Sequence, residues 1–316
     1  MGGNARRRLL AVVCCCTALS GCGPQSSDRP PERAPIAPPR VDLTAADRAM
    51  WTPAPHDRSA IPVLLYDEVT PDVFARQMTL LDHAGYDTVT LEDLVRFIRR
   101  EKVRLPAHPL VLTFDGGHLD SWTGRDGILR KLGLSAVVFV DVGRVEMQDP
   151  KYLTWAELGA LQRSGRWEVQ LQSGTGNQQI RYGPRSADVG PFYAYRGADE
   201  VLGGWRERVF SDISYGEQQL TFHVPGYRPI AIAPPDGNYG QAGTNDPRIP
   251  RLLLARLELS FKLIFTQDRS GFAVPSGTNP VGRTEVGRDM SDAELHVLLS
   301  SPPSRRATVY SASSQP

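Results

Sequence analysis

The chain has 316 residues, and its 36 Lys and Arg nearly balance its 35 Asp and Glu, giving a formal net charge of +1. A charge this close to zero supplies no field that would attract nucleic acid, so we predict no nucleic-acid partner. All four cysteines lie within the first 22 residues, which excludes disulfides and cysteine-bound zinc from the remainder of the chain.

The first residues have the pattern of a secretion signal. Arg6, Arg7 and Arg8 precede an apolar run over residues 9–19, which is too short for a bilayer span of roughly 20 apolar residues. The run ends in Leu-Ser-Gly-Cys at Cys22, which resembles the lipobox of bacterial lipoproteins. The resemblance implies a signal peptide over residues 1–22, a lipid on Cys22, and a protein exported to the extracytoplasmic face of the membrane. An unlipidated secretory signal and twin-arginine export are the alternatives.

The remaining chain divides by composition into three parts. Residues 23–58 are rich in proline, serine and charge, so we predict an extended tether. Residues 59–300 are long enough for one large domain. Residues 301–316 are polar, and we predict a disordered tail.

Short apolar runs alternate with amphipathic stretches throughout the predicted domain, as in parallel β/α folds. The seven predicted strands cover residues 61–66, 86–89, 110–114, 135–140, 167–171, 229–233 and 261–265. Helix starts are indicated by Pro71 after Thr70 and by capping boxes at Thr154 and Ser291. Seven such units favour a closed or nearly closed barrel. An open doubly wound sheet is the alternative, although no nucleotide-binding glycine pattern follows the first strand.

In β/α barrels the active site lies at the carboxyl ends of the strands. Several polar residues follow the predicted strands: Asp67, Glu68, Asp115, Asp141, Gln172, Asp236, Gln267 and Asp268. A mouth lined by carboxylates and amides suits metal or sugar chemistry. Any of these acids could instead lie in a loop and face water, and we expect this of Asp141 and Asp268.

Residues 112–118, Leu-Thr-Phe-Asp-Gly-Gly-His, resemble the T-F-D-D-G signature of polysaccharide deacetylases, the NodB-homology group of carbohydrate esterase family 4. The resemblance covers residues 61–299 and leans toward the branch that acts on poly-β-1,6-N-acetylglucosamine. It implies a distorted (β/α)7 barrel. In the family, the first aspartate is the general base, and the second aspartate and two histidines hold zinc, nickel or cobalt.

Carried to this chain, the resemblance keeps the base and loses the metal ligands. Asp115 matches the base, whereas Gly116, Gln172 and Asn177 stand at the three ligand positions. Glycine offers no donor, and neutral amides are poor ligands for metals that prefer imidazole or thiolate. Asp236 replaces the tyrosine of the family's Pro-Tyr-Gly, where a carboxylate would oppose a developing oxyanion. We therefore expect no cofactor, and a divalent metal only if other residues rebuild the site.

These residues favour a deacetylase-like pseudoenzyme of the cell envelope that binds an N-acetylglucosamine polymer or an export partner. The expected substrate-binding residues are Asp67, Ser173, Thr175, Asp236 and Tyr239. One alternative is an active N-deacetylase with a metal site rebuilt from Asp67, Asp115 and Asp236. Another is a metal-free glycoside hydrolase that uses two of these carboxylates.

The stretch over residues 181–215 is long for a plain connection in a compact domain. Long ordered loops are often functional. Two hypotheses stay open from the sequence: it forms one wall of a sugar groove, or it is an insertion without function.

Overall fold

The computed structural model describes residues 36–52, 59–66 and 68–300. The helices are α1 Ala45–Met50, α2 Pro71–His83, α3 Leu91–Ile98, α4 Leu119–Thr123, α5 Asp126–Leu132, α6 Val142–Glu146, α7 Trp155–Ser164, α8 Leu202–His223, α9 Ile249–Ser260 and α10 Asp292–Ser300. The strands are β1 Ile61–Tyr66, β2 Tyr86–Thr88, β3 His108–Phe114, β4 Ala136–Asp141, β5 Trp167–Ser173, β6 Gln179–Arg181, β7 Val189–Pro191, β8 Ala231–Ile232, β9 Leu263–Thr266, β10 Phe272–Ala273, β11 Val281–Gly282 and β12 Thr284–Val286. Within the described ranges, no helix has the length and apolarity needed to cross a membrane.

The main sheet closes into a barrel of parallel strands. Strands β1, β3, β4, β5, β8 and β9 are neighbours in that order. The ring closes through residues 281–286, because β11 pairs with β9 while β12 pairs with β1, and only Arg283 separates β11 from β12. The predicted distorted (β/α)7 barrel is therefore confirmed, and the open doubly wound sheet is not formed.

One predicted barrel strand was assigned wrongly. Strand β2, predicted over residues 86–89, pairs only beside the start of β3 and is not part of the ring. The seventh barrel strand is the closing segment 281–286, which the sequence analysis did not assign. Its sequence, Val-Gly-Arg-Thr-Glu-Val, contains no apolar run that would indicate a strand. Its two halves are short and pair with different neighbours.

Alternate side chains of the barrel strands fill the lumen and the outer core. One buried cluster includes Ile61, Val111, Phe139 and Phe265, together with apolar residues of α3 such as Leu94, which close one end of the barrel. The other cluster includes Leu64, Leu112 and Phe114 and lies beneath the surrounding helices. Since the lumen is packed with apolar side chains, polar chemistry is confined to the mouth at the carboxyl ends of the strands.

Part of the predicted tether packs against the domain. Helix α1 begins at a capping box formed by Thr44 and Asp47, and Asp47 accepts a 2.8 Å hydrogen bond from Arg76 on α2. Trp51 is 1% exposed, and its ring centroid lies 5.1 Å from that of His296. The packed region thus begins before residue 59. The signal peptide with Cys22, residues 23–35 and 53–58 of the tether, and the 301–316 tail lie outside the described residues.

Candidate ligand site at the barrel mouth

The centre of the mouth is a paired Asp115 and Arg283. Asp115 follows β3, and Arg283 lies between β11 and β12 in the closing segment. The Nη1 and Nη2 atoms of Arg283 donate to Oδ1 and Oδ2 of Asp115 at 2.6 and 2.8 Å. The Arg283 side chain is fully buried, whereas that of Asp115 is 19% exposed. No motif in the sequence indicates Arg283, because it lies in a segment without an apolar run.

Gly116, which the resemblance assigns to the first ligand position, is crowded by the His118 side chain. Its φ is +81° and that of Gly117 is +75°, a region that L-residues with a side chain rarely adopt. A Cβ atom placed on Gly116 would lie 2.7 Å from Cδ2 and 2.8 Å from Nε2 of His118. The imidazole of His118 therefore occupies the space into which a ligand aspartate at residue 116 would project.

Gln172, at the second ligand position, is hydrogen-bonded to the backbone beside Asp115. It lies near the end of β5 and is 5% exposed. Its Oε1 accepts the backbone N–H of Gly116 at 3.1 Å. This amide oxygen therefore joins β5 to the turn that follows β3, and it is committed to that structural bond.

Asn177, at the third ligand position, hydrogen-bonds the carboxyl group of Asp141. Asp141 ends β4 and is only 3% exposed, so the expectation that it faces water was wrong. Burial raises the pKa of Asp141 to about 6, while Arg144 and the hydrogen bond from Asn177 act in the opposite direction. The Nε of Arg144 lies 3.8 Å from Oδ2 of Asp141. A buried carboxyl group thus stands beside the third ligand position.

We expect replacement of Asp141 by asparagine to change how stability depends on pH. Because the folded-state pKa of Asp141 lies above the usual value of 3.8, protonation of its carboxyl group stabilises the folded state. This contribution is complete below about pH 4 and is lost as the pH rises through about 6. The lost stability should be about 3 kcal/mol, and Asp141→Asn should remove this dependence. Urea unfolding at about pH 4.5, about pH 6 and about pH 8, which span the transition, measures the change. Asp268→Asn, which alters an exposed carboxyl, is the control, and an unchanged pH dependence in Asp141→Asn would contradict the assignment.

The turn that carries Asn177 is held by Asp212, a second residue that was not predicted from the sequence. Asp212 lies within α8 and accepts hydrogen bonds from the backbone N–H groups of Gly174 at 3.0 Å and Thr175 at 2.6 Å. It also accepts the hydroxyls of Thr175 at 2.8 Å and Tyr193 at 2.7 Å. An acid in the middle of a helix carries no sequence signal for this role, which depends on the packing of α8 against the end of β5.

The predicted substrate-binding residues are only partly gathered at the mouth. Asp67 lies outside the described residues. Ser173 is fully buried, whereas Thr175 is exposed, and its hydroxyl donates to Asp212 but can still accept a hydrogen bond. Asp236 is exposed with a φ of 58°, Tyr239 is 6% exposed, and neither has a hydrogen bond to Asp115.

The remaining strand-end residues lie at the rim. Glu68 is exposed and pairs with Arg288 at 2.8 Å. Gln267 donates to Glu285 at 3.3 Å, and Asp268 is exposed as expected. The 181–215 stretch begins at the last residue of β6, includes β7, which pairs with β6, and ends inside α8, so it is not a plain loop.

The fold family implies a divalent metal, and the described residues do not fit one. Gly116 has no donor atom, the Gln172 oxygen already accepts a backbone N–H, and Asn177, whose NH2 group donates to Asp141, offers only a neutral amide oxygen. Over residues 36–52, 59–66 and 68–300, no group of three or more His, Cys, Asp or Glu side chains is placed to hold a metal ion. Neutral amides would be weak replacements for the family's histidines.

No protein-family model and no curated protein matches the sequence. Among solved structures, a de-N-acetylase from Aggregatibacter actinomycetemcomitans has a TM-score of 0.64 at 16% identity, over 76% of this chain and 99% of that chain. The BpsB deacetylase domain from Bordetella bronchiseptica has a TM-score of 0.59 at 18% identity, over 76% and 100%. IcaB from Ammonifex degensii has a TM-score of 0.59 at 20% identity, over 77% and 98%. These likenesses confirm, for the fold, the resemblance drawn from residues 112–118.

Proposed function

We propose that this chain, which has the fold of the polysaccharide deacetylases, is a pseudoenzyme of the cell envelope that binds a polymer containing N-acetylglucosamine. The observation that carries the proposal is the state of the three ligand positions. At Gly116 the place of a side chain is taken by His118, and at Gln172 and Asn177 the amides are bonded to protein groups. A barrel retained around such a mouth supports binding without metal-dependent hydrolysis.

The polar groups of the mouth suit a sugar ligand. Asp115 and Asn177 are half-buried, so each combines a fixed position with access from solvent. Carboxylate oxygens accept hydrogen bonds from sugar hydroxyls, and an amide both donates and accepts, as recognition of an acetamide requires. A few polar groups held at fixed positions give a small-molecule site its specificity.

The location in the cell envelope is supported by the sequence alone. The apolar run behind three arginines ends in the lipobox-like residues before Cys22. A lipid on Cys22 would hold the domain at the extracytoplasmic face, where an exopolysaccharide is within reach. A single acyl chain binds membranes only marginally, so a stable anchor would need more than one chain.

The experiment is a calorimetric titration of a β-1,6-linked N-acetylglucosamine oligosaccharide into the purified protein, with acetate release measured in parallel. We expect saturable binding that a chelator does not change, and no acetate release with added zinc, nickel or cobalt. Asn177→Ala should weaken binding, and Gln267→Ala, which alters a half-buried amide at another strand end, should not.

Three results would overturn the proposal. Metal-dependent release of acetate would instead establish an active deacetylase with a rebuilt site. Release of reducing ends would establish a glycoside hydrolase. An absence of binding at millimolar oligosaccharide would leave the polymer without support as the ligand.

A further inference from the structure

An aromatic pair at the rim of the mouth joins His118, whose ring lies beside Gly116, to Tyr152, which has had no role so far. The rings of His118 and Tyr152 have centroids 4.4 Å apart with an interplanar angle of 31°, and both side chains are half-buried. The two residues face each other in an antiparallel bridge. Backbone hydrogen bonds flank the bridge, from Leu119 N to Lys151 O at 2.8 Å and from Leu153 N to Gly117 O at 2.9 Å. The pair is therefore held rigidly although it lies in loops.

The pair adjoins the polar groups of the mouth. The His118 ring lies where a side chain on Gly116 would project, next to Asp115 in the chain. The guanidinium of Arg144 is 5.8 Å from the centroid of the Tyr152 ring, and its Nε lies 3.8 Å from Asp141. Two rings, a cation and a carboxyl group therefore share one side of the mouth.

We infer that the His118–Tyr152 pair forms a stacking subsite for a pyranose ring, with Arg144 as the hydrogen-bond donor to its hydroxyl or acetamide oxygens. Because the two rings cover each other's facing surfaces, the sugar would lie against an outer face of the pair. The inference rests on the proposed function and names the residues that would bind the sugar. Aromatic rings offer an apolar surface for the C–H groups of a sugar, and tyrosine adds a polar edge. Because the flanking backbone bonds fix the pair before a ligand arrives, little ordering entropy opposes binding.

The test uses the same oligosaccharide titration with variants of the pair. We expect His118→Ala and Tyr152→Ala each to weaken binding about tenfold, and Tyr152→Phe, which keeps the ring, to change it less than about threefold. The control is His223→Ala. His223 is also half-buried and stacks on Trp155 with centroids 4.4 Å apart, but it lies at the end of α8.

The outcomes separate this inference from the proposed function. If the unmodified protein binds the oligosaccharide and the alanine variants bind equally well, the subsite is wrong and the proposed function stands. If the unmodified protein does not bind, both fail. A loss in Tyr152→Phe as large as in Tyr152→Ala would overturn stacking in favour of a hydroxyl contact.

A measurement on the unmodified protein covers the case in which an alanine variant does not fold. The imidazole proton signals of His118, assigned with His118→Gln, should shift on titration with the oligosaccharide, and those of His223 should not. A saturable change at His223 without one at His118 would overturn the subsite.

Discussion

Replacing Asp115 by alanine is expected to lower the free energy of unfolding by about 3 to 5 kcal/mol. The guanidinium of Arg283 is fully buried, and Asp115 receives both of its terminal nitrogens at 2.6 and 2.8 Å. Its Nε has no hydrogen-bond partner among the described residues. Without the carboxylate, the buried guanidinium of Arg283 would lose its only ion pair among the described residues. Leaving a buried charge unpaired destabilises a protein far more than breaking an ion pair on the surface. Urea unfolding measures the change.

Two further variants separate this cause from a general loss of polar surface. Asp236→Asn removes an exposed negative charge at another strand end, keeps a residue type that tolerates the φ of 58°, and should change stability by less than about 0.5 kcal/mol. The double variant Asp115→Leu with Arg283→Met removes both charges and should recover part of the loss. A loss below about 1 kcal/mol in Asp115→Ala would show that water or another group replaces the carboxylate.

The structural role of Asp115 bears on any assay of this mouth. A variant of Asp115 that loses binding or activity has lost a bond between β3 and the closing segment as well as a carboxylate. Such a loss identifies a ligand-binding or catalytic role only when the folded fraction of the variant has been measured under the assay conditions.

A variant that carries the family's three metal ligands is not expected to bind zinc tightly. The variant carrying Gly116→Asp, Gln172→His and Asn177→His would place a side chain on residue 116, whose φ is +81° and whose Cβ would lie 2.7 Å from the His118 ring. The left-handed backbone costs about 1 to 2 kcal/mol for an L-residue, and the overlap adds about 1 to 3 kcal/mol. Adding His118→Ala should remove the overlap and tighten zinc binding about 100-fold.

Calorimetric titration of zinc into the triple and quadruple variants measures the difference. His118→Ala alone is the control and should leave the protein without a tight zinc site, because it adds no ligand. Equal zinc affinity in the triple and quadruple variants would show that the His118 ring moves aside easily. The assignment of His118 as the group that fills the ligand position would then be wrong.

Most strands of the barrel could be predicted because each is a short continuous run of apolar residues. Residues 61–66 and the runs that became β3, β4 and β5 are apolar enough to indicate parallel strands buried on both faces. The closing segment could not be predicted, since β11 and β12 each pair over two or three residues with different neighbours. Its assignment requires the ring to exist first.

The candidate site was likewise only partly predictable from the sequence. The motif at residues 112–118 predicted Asp115 at a strand end, and the resemblance assigned Gln172 and Asn177 to the other two ligand positions. Local pattern did not indicate that Asp141 is buried beside Asn177, or that Asp212 holds the turn between them. Both depend on how separate β/α units pack together.

The sequence by itself determined which chemical groups stand at the ligand positions, because the identity of a side chain does not depend on the fold: glycine has no donor atom, and an amide carries no charge. Only the tertiary structure decided which groups meet. Arg283 is 168 residues from Asp115 in the chain, and His118 fills the space beside Gly116 only in the folded turn. Contacts between distant residues follow from closure of the barrel, and no short stretch of sequence encodes that closure.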